Sequence, residues 1–163
     1  MPFKPDEKPK PSAYSKALDL AARRERSARD LGRKLSQKGY DREESAAAIE
    51  RLQELDFQND DRFAGALVRT RAGQGHGPRR IVAELRGHGV DEARVRALFA
   101  QEDIDWNALA RDLYRRRYGS RPAADRAETA KRAGFLLRRG FDAATVRGLT
   151  HADDVDDSSD DFD

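Results

Sequence analysis

The sequence predicts an all-α protein of three tandem three-helix repeats, each about 50 residues long, forming an elongated curved body. Three observations carry that reading. First, apolar residues recur three and four apart along most of the chain while β-branched runs are missing, the pattern of amphipathic helices rather than strands. Second, one helix-stop pattern returns three times: KGYD at 38–41, HGVD at 88–91 and RGFD at 139–142. Each joins a helix end, a glycine, an apolar residue and an aspartate cap, with Leu35, Leu85 or Leu136 four residues before the glycine. The glycines lie 50 and then 51 residues apart. Third, 37% of residues are hydrophobic and 38% charged, too few apolar groups for one thick core but enough for thin helical layers with one buried stripe each.

The repeats are expected at residues 12–55, 56–103 and 104–150. In the first, Tyr14, Ala17, Leu18 and Ala21 mark one helix, and Ser27 with Asp30 has the S-x-x-D spacing of a helix start. Ala28, Leu31 and Leu35 give the second stripe, and Gly39 stops it. Asp41 with Glu44 has capping-box spacing before the Ala48, Ile49 and Leu52 face. In the second repeat, Asn59 or Asp60 caps a helix carrying Phe63, Ala64, Leu67 and Val68. Gly73, Gly75 and Gly77 interrupt it as a flexible connection, and Pro78 suits the first turn of the next helix. Ile81, Val82 and Leu85 form that helix's stripe, Gly89 ends it, and Asp91 caps a third helix burying Val95, Leu98 and Phe99. In the third repeat, Asp105 caps a helix with Trp106, Leu109, Ala110, Leu113 and Tyr114. A loop around 118–122 precedes a helix whose face is Ala130, Ala133 and Leu137. Gly140 stops that helix, and Asp142 caps the last one, with Val146 and Leu149 inward.

Residues 1–11 hold four of the six prolines and three lysines, the composition of a disordered arm. Residues 151–163 hold seven aspartates and no Lys or Arg, an acidic disordered tail. The net charge of +2 conceals this division: without those aspartates, 32 basic and 23 acidic residues remain. The third repeat is the most basic, with eleven basic against five acidic residues, while the second has eight of each. Charge so placed concerns partners rather than fold. The absence of cysteine excludes disulfides, thiolate metal sites and a cysteine nucleophile. No apolar run approaches the roughly 20 residues that span a bilayer, so a cytoplasmic protein without membrane contact is expected.

Little in the chain suggests catalysis. His76, His88 and His151 lack ligand spacing, and no metal or cofactor site is expected; His76 and His88 read as solvent-facing. GQGHGP at 73–78 lacks the G-K-[ST] ending of a phosphate loop. The pairs Asp60–Asp61 and Asp103–Asp105 read as helix-start acids rather than acid–base dyads. The informative side chains are arginines, whose planar fork suits phosphate and carboxylate. Arg24, Arg26, Arg69, Arg79, Arg80, Arg115, Arg116, Arg117, Lys131 and Arg132 form the candidate partner-binding set, densest in the third repeat.

RERSARDLGRKLSQKGY, followed by NDDRFAGALVRTRAGQGHGPRRIVAELRGHGV, resembles the RecX family of recombination regulators. The motifs are a basic turn at 24–31, in which Asp30 stands where glutamate is expected, an N-D-x-R-F-A helix start at 59–64 and an I-x-x-E-L-x-x-x-G-[IV] helix at 81–90. The resemblance implies tandem three-helix repeats and no enzymatic activity. It further implies a protein that binds the RecA recombinase filament on single-stranded DNA and restrains its ATP hydrolysis, strand exchange and extension; a monomer is expected, as is weak, electrostatic contact with the single strand. The competing reading is a stand-alone nucleic-acid-binding helical module, against which no helix shows a compact Asn, Gln and Arg set for base edges. A small helical enzyme ranks third, for want of a nucleophile–base or metal set.

Overall fold

The structure, a computed structural model, describes residues 8–152. The acidic residues 153–163 and most of the N-terminal arm lie outside the described residues. Nine α-helices and no strands occur among the described residues: α1 (Ala13–Arg23), α2 (Ala28–Gln37), α3 (Arg42–Glu54), α4 (Asp60–Gly73), α5 (Pro78–Gly87), α6 (Glu92–Glu102), α7 (Trp106–Tyr118), α8 (Arg126–Arg138) and α9 (Ala143–Thr150). None is long and apolar enough to cross a membrane.

Helix starts follow the expected chemistry. Ser12, Ser27, Asp41, Asp91, Asp105, Asp125 and Asp142 each accept a hydrogen bond from the backbone N–H three residues on. Asn59 Oδ1 accepts from Asp61 and Arg62 and so caps α4. Each such cap is worth about 1 kcal/mol. The Asp41 capping box is half-made: Glu44 Oε1 accepts from Ala13 N–H, tying the start of α1 to that of α3. Asp103 departs from its expected role. It closes the C-terminus of α6 at φ 46° rather than opening a helix.

The three recurring stops share one hydrogen-bond pattern. Gly39, Gly89 and Gly140 have φ of 86°, 80° and 96°. The next N–H, of Tyr40, Val90 or Phe141, donates to the carbonyl of Leu35, Leu85 or Leu136 at 3.1, 3.1 and 3.3 Å, and the following side chain is buried against the helix it ends. Two further stops use the same bonds without this sequence signature. At α4, His76 N–H donates to Arg71 with Gly75 left-handed; at α3, Phe57 N–H donates to Leu52 with Asp56 left-handed.

The chain divides into two compact units between Phe63 and Ala64. The first is built on Ala13, Ala17, Leu20, Leu31, Leu35, Tyr40, Ala48 and Leu52. The end of the arm belongs to it: Tyr40 Oη donates to Pro11 O at 2.6 Å, and Lys10 Nζ sits 4.0 Å from the Tyr40 ring centre. Lys10 and Pro11 are thus placed, where the composition suggested a disordered arm.

The second unit holds two core clusters. One is centred on Val68, Ile81, Leu85 and Val95, the other on Ala110, Leu136, Phe141 and Val146; Leu109 packs against both. Trp106 of α7 lies 5.4 Å from Phe99 of α6, ring centre to ring centre. The inward face of α8 is Arg132, Ala133 and Leu136, with Leu137 packed partly buried beside them; of the expected face only Ala130 is exposed instead.

Candidate interface: an arginine and aromatic face

The site in the second unit is organised by a backbone junction. The loop 74–77 docks against the end of α8. Gly77 N–H donates to Arg139 O at 2.7 Å, and Arg79 N–H donates to Gly140 O at 3.0 Å. This explains why α5 has no side-chain cap: carbonyls from the end of α8 occupy its N-terminus. A Cβ on Gly77 would lie 2.4 Å from the Gly140 carbonyl carbon, and one on Gly140 2.5 Å from Arg80 Cβ. The expectation of a flexible connection therefore fails, because Gly75 and Gly77 are buried and hydrogen-bonded.

Around the junction lies a cluster of cations. Arg71 forms a two-pronged pair with Glu84, Nε to Oε2 at 2.8 Å and Nη2 to Oε1 at 2.7 Å, and Arg71's hydrogen bonds hold the Glu84 carboxyl below its ordinary range. His76 is half-buried, with Nδ1 shielded and without a partner among the described residues, rather than solvent-facing. Burial first, then Arg80, Arg71 and Arg139, lower its pKa below the ordinary 6.5. A depressed histidine pKa means the unfolded chain takes up the proton first. The stability involved is complete above pH 6.5 and declines as pH falls below 6.5 toward the lower folded-state value. Thermal unfolding of wild type and His76→Gln near pH 7.5 and near pH 5 checks this. The wild type is expected to lose more midpoint temperature on acidification than the variant.

From this cluster an aromatic ladder leads along α8 and α7. The Arg139 and Arg117 guanidinium carbons lie 5.5 and 4.9 Å from the Phe135 ring centre. Phe135 meets Tyr118 edge-on at 5.8 Å, and Tyr118 meets Tyr114 at 5.3 Å. Beneath the tyrosines, Arg132 is only 3% exposed. It donates to Tyr114 Oη and Arg121 O at 2.9 Å and to Glu128 at 2.8 Å, with its guanidinium carbon 4.6 Å from the Tyr118 ring centre. Hydrogen bonds to Tyr114 and then Glu128 raise its pKa.

The sequence-derived candidates thus separate. Arg132 is a buried strut and not a surface contact. Arg26 is likewise withdrawn: its side chain is 9% exposed and donates to Asp30 at 2.8 Å and to Leu20 O at 3.2 Å. Arg69 is exposed but paired with Glu102 at 2.6 Å. Arg24, Arg80, Arg115, Arg116, Arg117 and Lys131 are exposed, and Arg79 is half-buried at the junction. The structure brings Arg80 and Arg117 onto the junction and ladder; Arg24 belongs to the first unit. Arg139, Phe135, Arg71 and His76 were absent from the candidate set. For Arg139 a signal existed: it follows Phe135 by four residues, the spacing at which helix side chains meet. No group of three or more His, Asp or Glu able to hold a metal occurs among the described residues.

The described residues form an all-helical array of three-helix repeats with an arginine face in the second unit. Comparison with known proteins gives the family. Residues 13–52, 59–97 and 103–148 match, in order, the first, second and third three-helix domains of RecX. The chain is 44% identical over 138 residues to the regulatory protein RecX of Xanthomonas axonopodis pv. citri (strain 306), covering 85% of each. It is 43% identical over 141 residues to that of Stenotrophomonas maltophilia (strain K279a), covering 86% of each. A crystal structure of regulatory protein RecX superposes with a TM-score of 0.69 at 26% identity, over 85% of this chain and 70% of that one. RecX from Lactobacillus salivarius shares the fold, with a TM-score of 0.69 at 22% identity over 85% of this chain and 92% of that one. The chain belongs to the RecX family of regulatory proteins.

Proposed function

We propose that this chain binds the filament of the RecA recombinase on single-stranded DNA and restrains its ATP hydrolysis, strand exchange and extension. It acts in the cytoplasm as a monomeric binding protein, not as a catalyst, through repeats spanning 12–55, 56–103 and 104–150. The observation that carries this reading is the ordered match of all three RecX domains across residues 13–148. The arginine face supports it, since a nucleoprotein filament offers phosphates and carboxylates, both ligands of the guanidinium fork. The test follows steady-state ATP hydrolysis by the cognate RecA on single-stranded DNA as the full chain is added. A fall in rate at amounts up to one chain per RecA is expected; an unchanged rate would count against the proposal. Sequence-selective duplex binding without RecA would instead favour a stand-alone DNA-binding module.

A further inference from the structure

We infer that Arg117 and Arg139, mounted on the Phe135 ring, form a binding site for the phosphodiester backbone of single-stranded DNA. The inference takes the strand's single-stranded character from the function proposed above; the residues come from the geometry. Two cations share one aromatic ring, with Arg139 5.5 Å and Arg117 4.9 Å from its centre. A guanidinium attracted to a ring face is restrained in position while its N–H groups stay available for an oxyanion. Phe135 is itself fixed from the side by Tyr118 at 5.8 Å, and Tyr118 is fixed by buried Arg132. The ladder therefore restrains two side chains that would otherwise lose rotamer freedom on binding.

The local carboxylates are already engaged. Glu84 is held by Arg71, and Glu128 by Arg132 and Ala124 N–H. Arg80, Arg117 and Arg139 have no carboxylate partner among the described residues. Such cations suit a polyanion of uniform charge better than a protein surface, where acids and bases alternate as Arg69 and Glu102 do here.

The test is fluorescence anisotropy of a labelled oligothymidylate with the full chain at several NaCl concentrations. Far-UV circular dichroism and Trp106 emission confirm that each variant folds. Arg117→Gln and Arg139→Gln are each expected to weaken binding and to reduce the log affinity against log salt slope by about 0.7, one phosphate on a single strand. Phe135→Leu keeps both charges but removes the ring face, and is expected to weaken binding about two- to fivefold. Arg96→Gln, exposed on α6, is expected to change neither quantity. Unchanged affinity and slope in both arginine variants would overturn the site. If they keep oligonucleotide binding but lose inhibition of RecA, the face meets protein: the inference fails and the filament-regulator reading stands. If wild type leaves RecA unaffected while the salt slopes shift as expected, the site stands and that reading fails.

Discussion

Gly140→Ala is expected to destabilise the second unit by about 3 kcal/mol, combining a left-handed backbone that disfavours a Cβ with overpacking against a neighbour that cannot yield. The neighbour is backbone: besides Arg80 Cβ at 2.5 Å, an added methyl would meet Arg80 N at 2.6 Å. Moving α5 away would stretch the Gly77 and Arg79 hydrogen bonds to Arg139 and Gly140, which are what cap that helix. Gly77→Ala meets the reverse face of the same contact and is expected to cost nearly as much. Gly87→Ala and Gly148→Ala, where an added Cβ has nothing within 4 Å, are expected to stabilise by about 0.5–1 kcal/mol through backbone entropy in a helix. Urea unfolding followed by the fluorescence of Trp106, the chain's one tryptophan, gives the comparison. If Gly140→Ala and Gly87→Ala unfold alike, the junction does not hold the second and third repeats together.

Asp30→Ala is expected to cost the first unit about 3 kcal/mol, because removing one partner of a buried ion pair strands the other charge. Asp30 is 8% exposed and accepts from Arg26 at 2.8 Å and Arg33 at 2.5 Å. Burial pushes its carboxyl pKa up, but the two arginine hydrogen bonds and charges outweigh it and leave the pKa below the ordinary 3.8. The stability this contributes is present above pH 3.8 and is lost as pH falls through the lower folded-state value. A control separates charge stranding from lost packing. Asp30→Ala with Arg26→Met removes both charges and keeps the long apolar stem, so it is expected to recover most of the loss in urea unfolding. Equal destabilisation in the single and double variants would show that the pair itself was not the source.

Much of the fold is legible in the sequence, for local reasons. A Ser or Asp three residues before a free N–H, and a glycine four residues after the carbonyl it helps close, are chain-neighbour geometries, so the caps and stops can be read directly. What could not be read depends on pairing distant segments. Gly77 and Gly140 look like a loop glycine and one more helix stop until their backbones are seen in contact. Arg132 lies beside Lys131 on α8; its pair with Glu128, four residues earlier, is readable at helical spacing, but nothing in its own segment says that Tyr114 and Arg121 supply its other partners. Its spacing to Leu136 was the available clue, since four residues place both on one helical face; a long amphipathic side chain can occupy such a position when its head is satisfied. For Arg26 the clue was local: Asp30 follows it by four residues, the spacing of a helical ion pair. Phe135 packs partly buried against the core and also carries two guanidiniums on its ring, a role that its own segment does not signal.

The most direct measurement of the proposed partner is cosedimentation of the full chain with cognate RecA filaments on single-stranded DNA, beside the same DNA without RecA, at near-physiological salt. The chain is expected to pellet with filaments in saturable proportion to RecA and to stay largely in the supernatant with bare DNA. Equal pelleting with bare DNA, or none with filaments, would contradict the assignment of the RecA filament as partner.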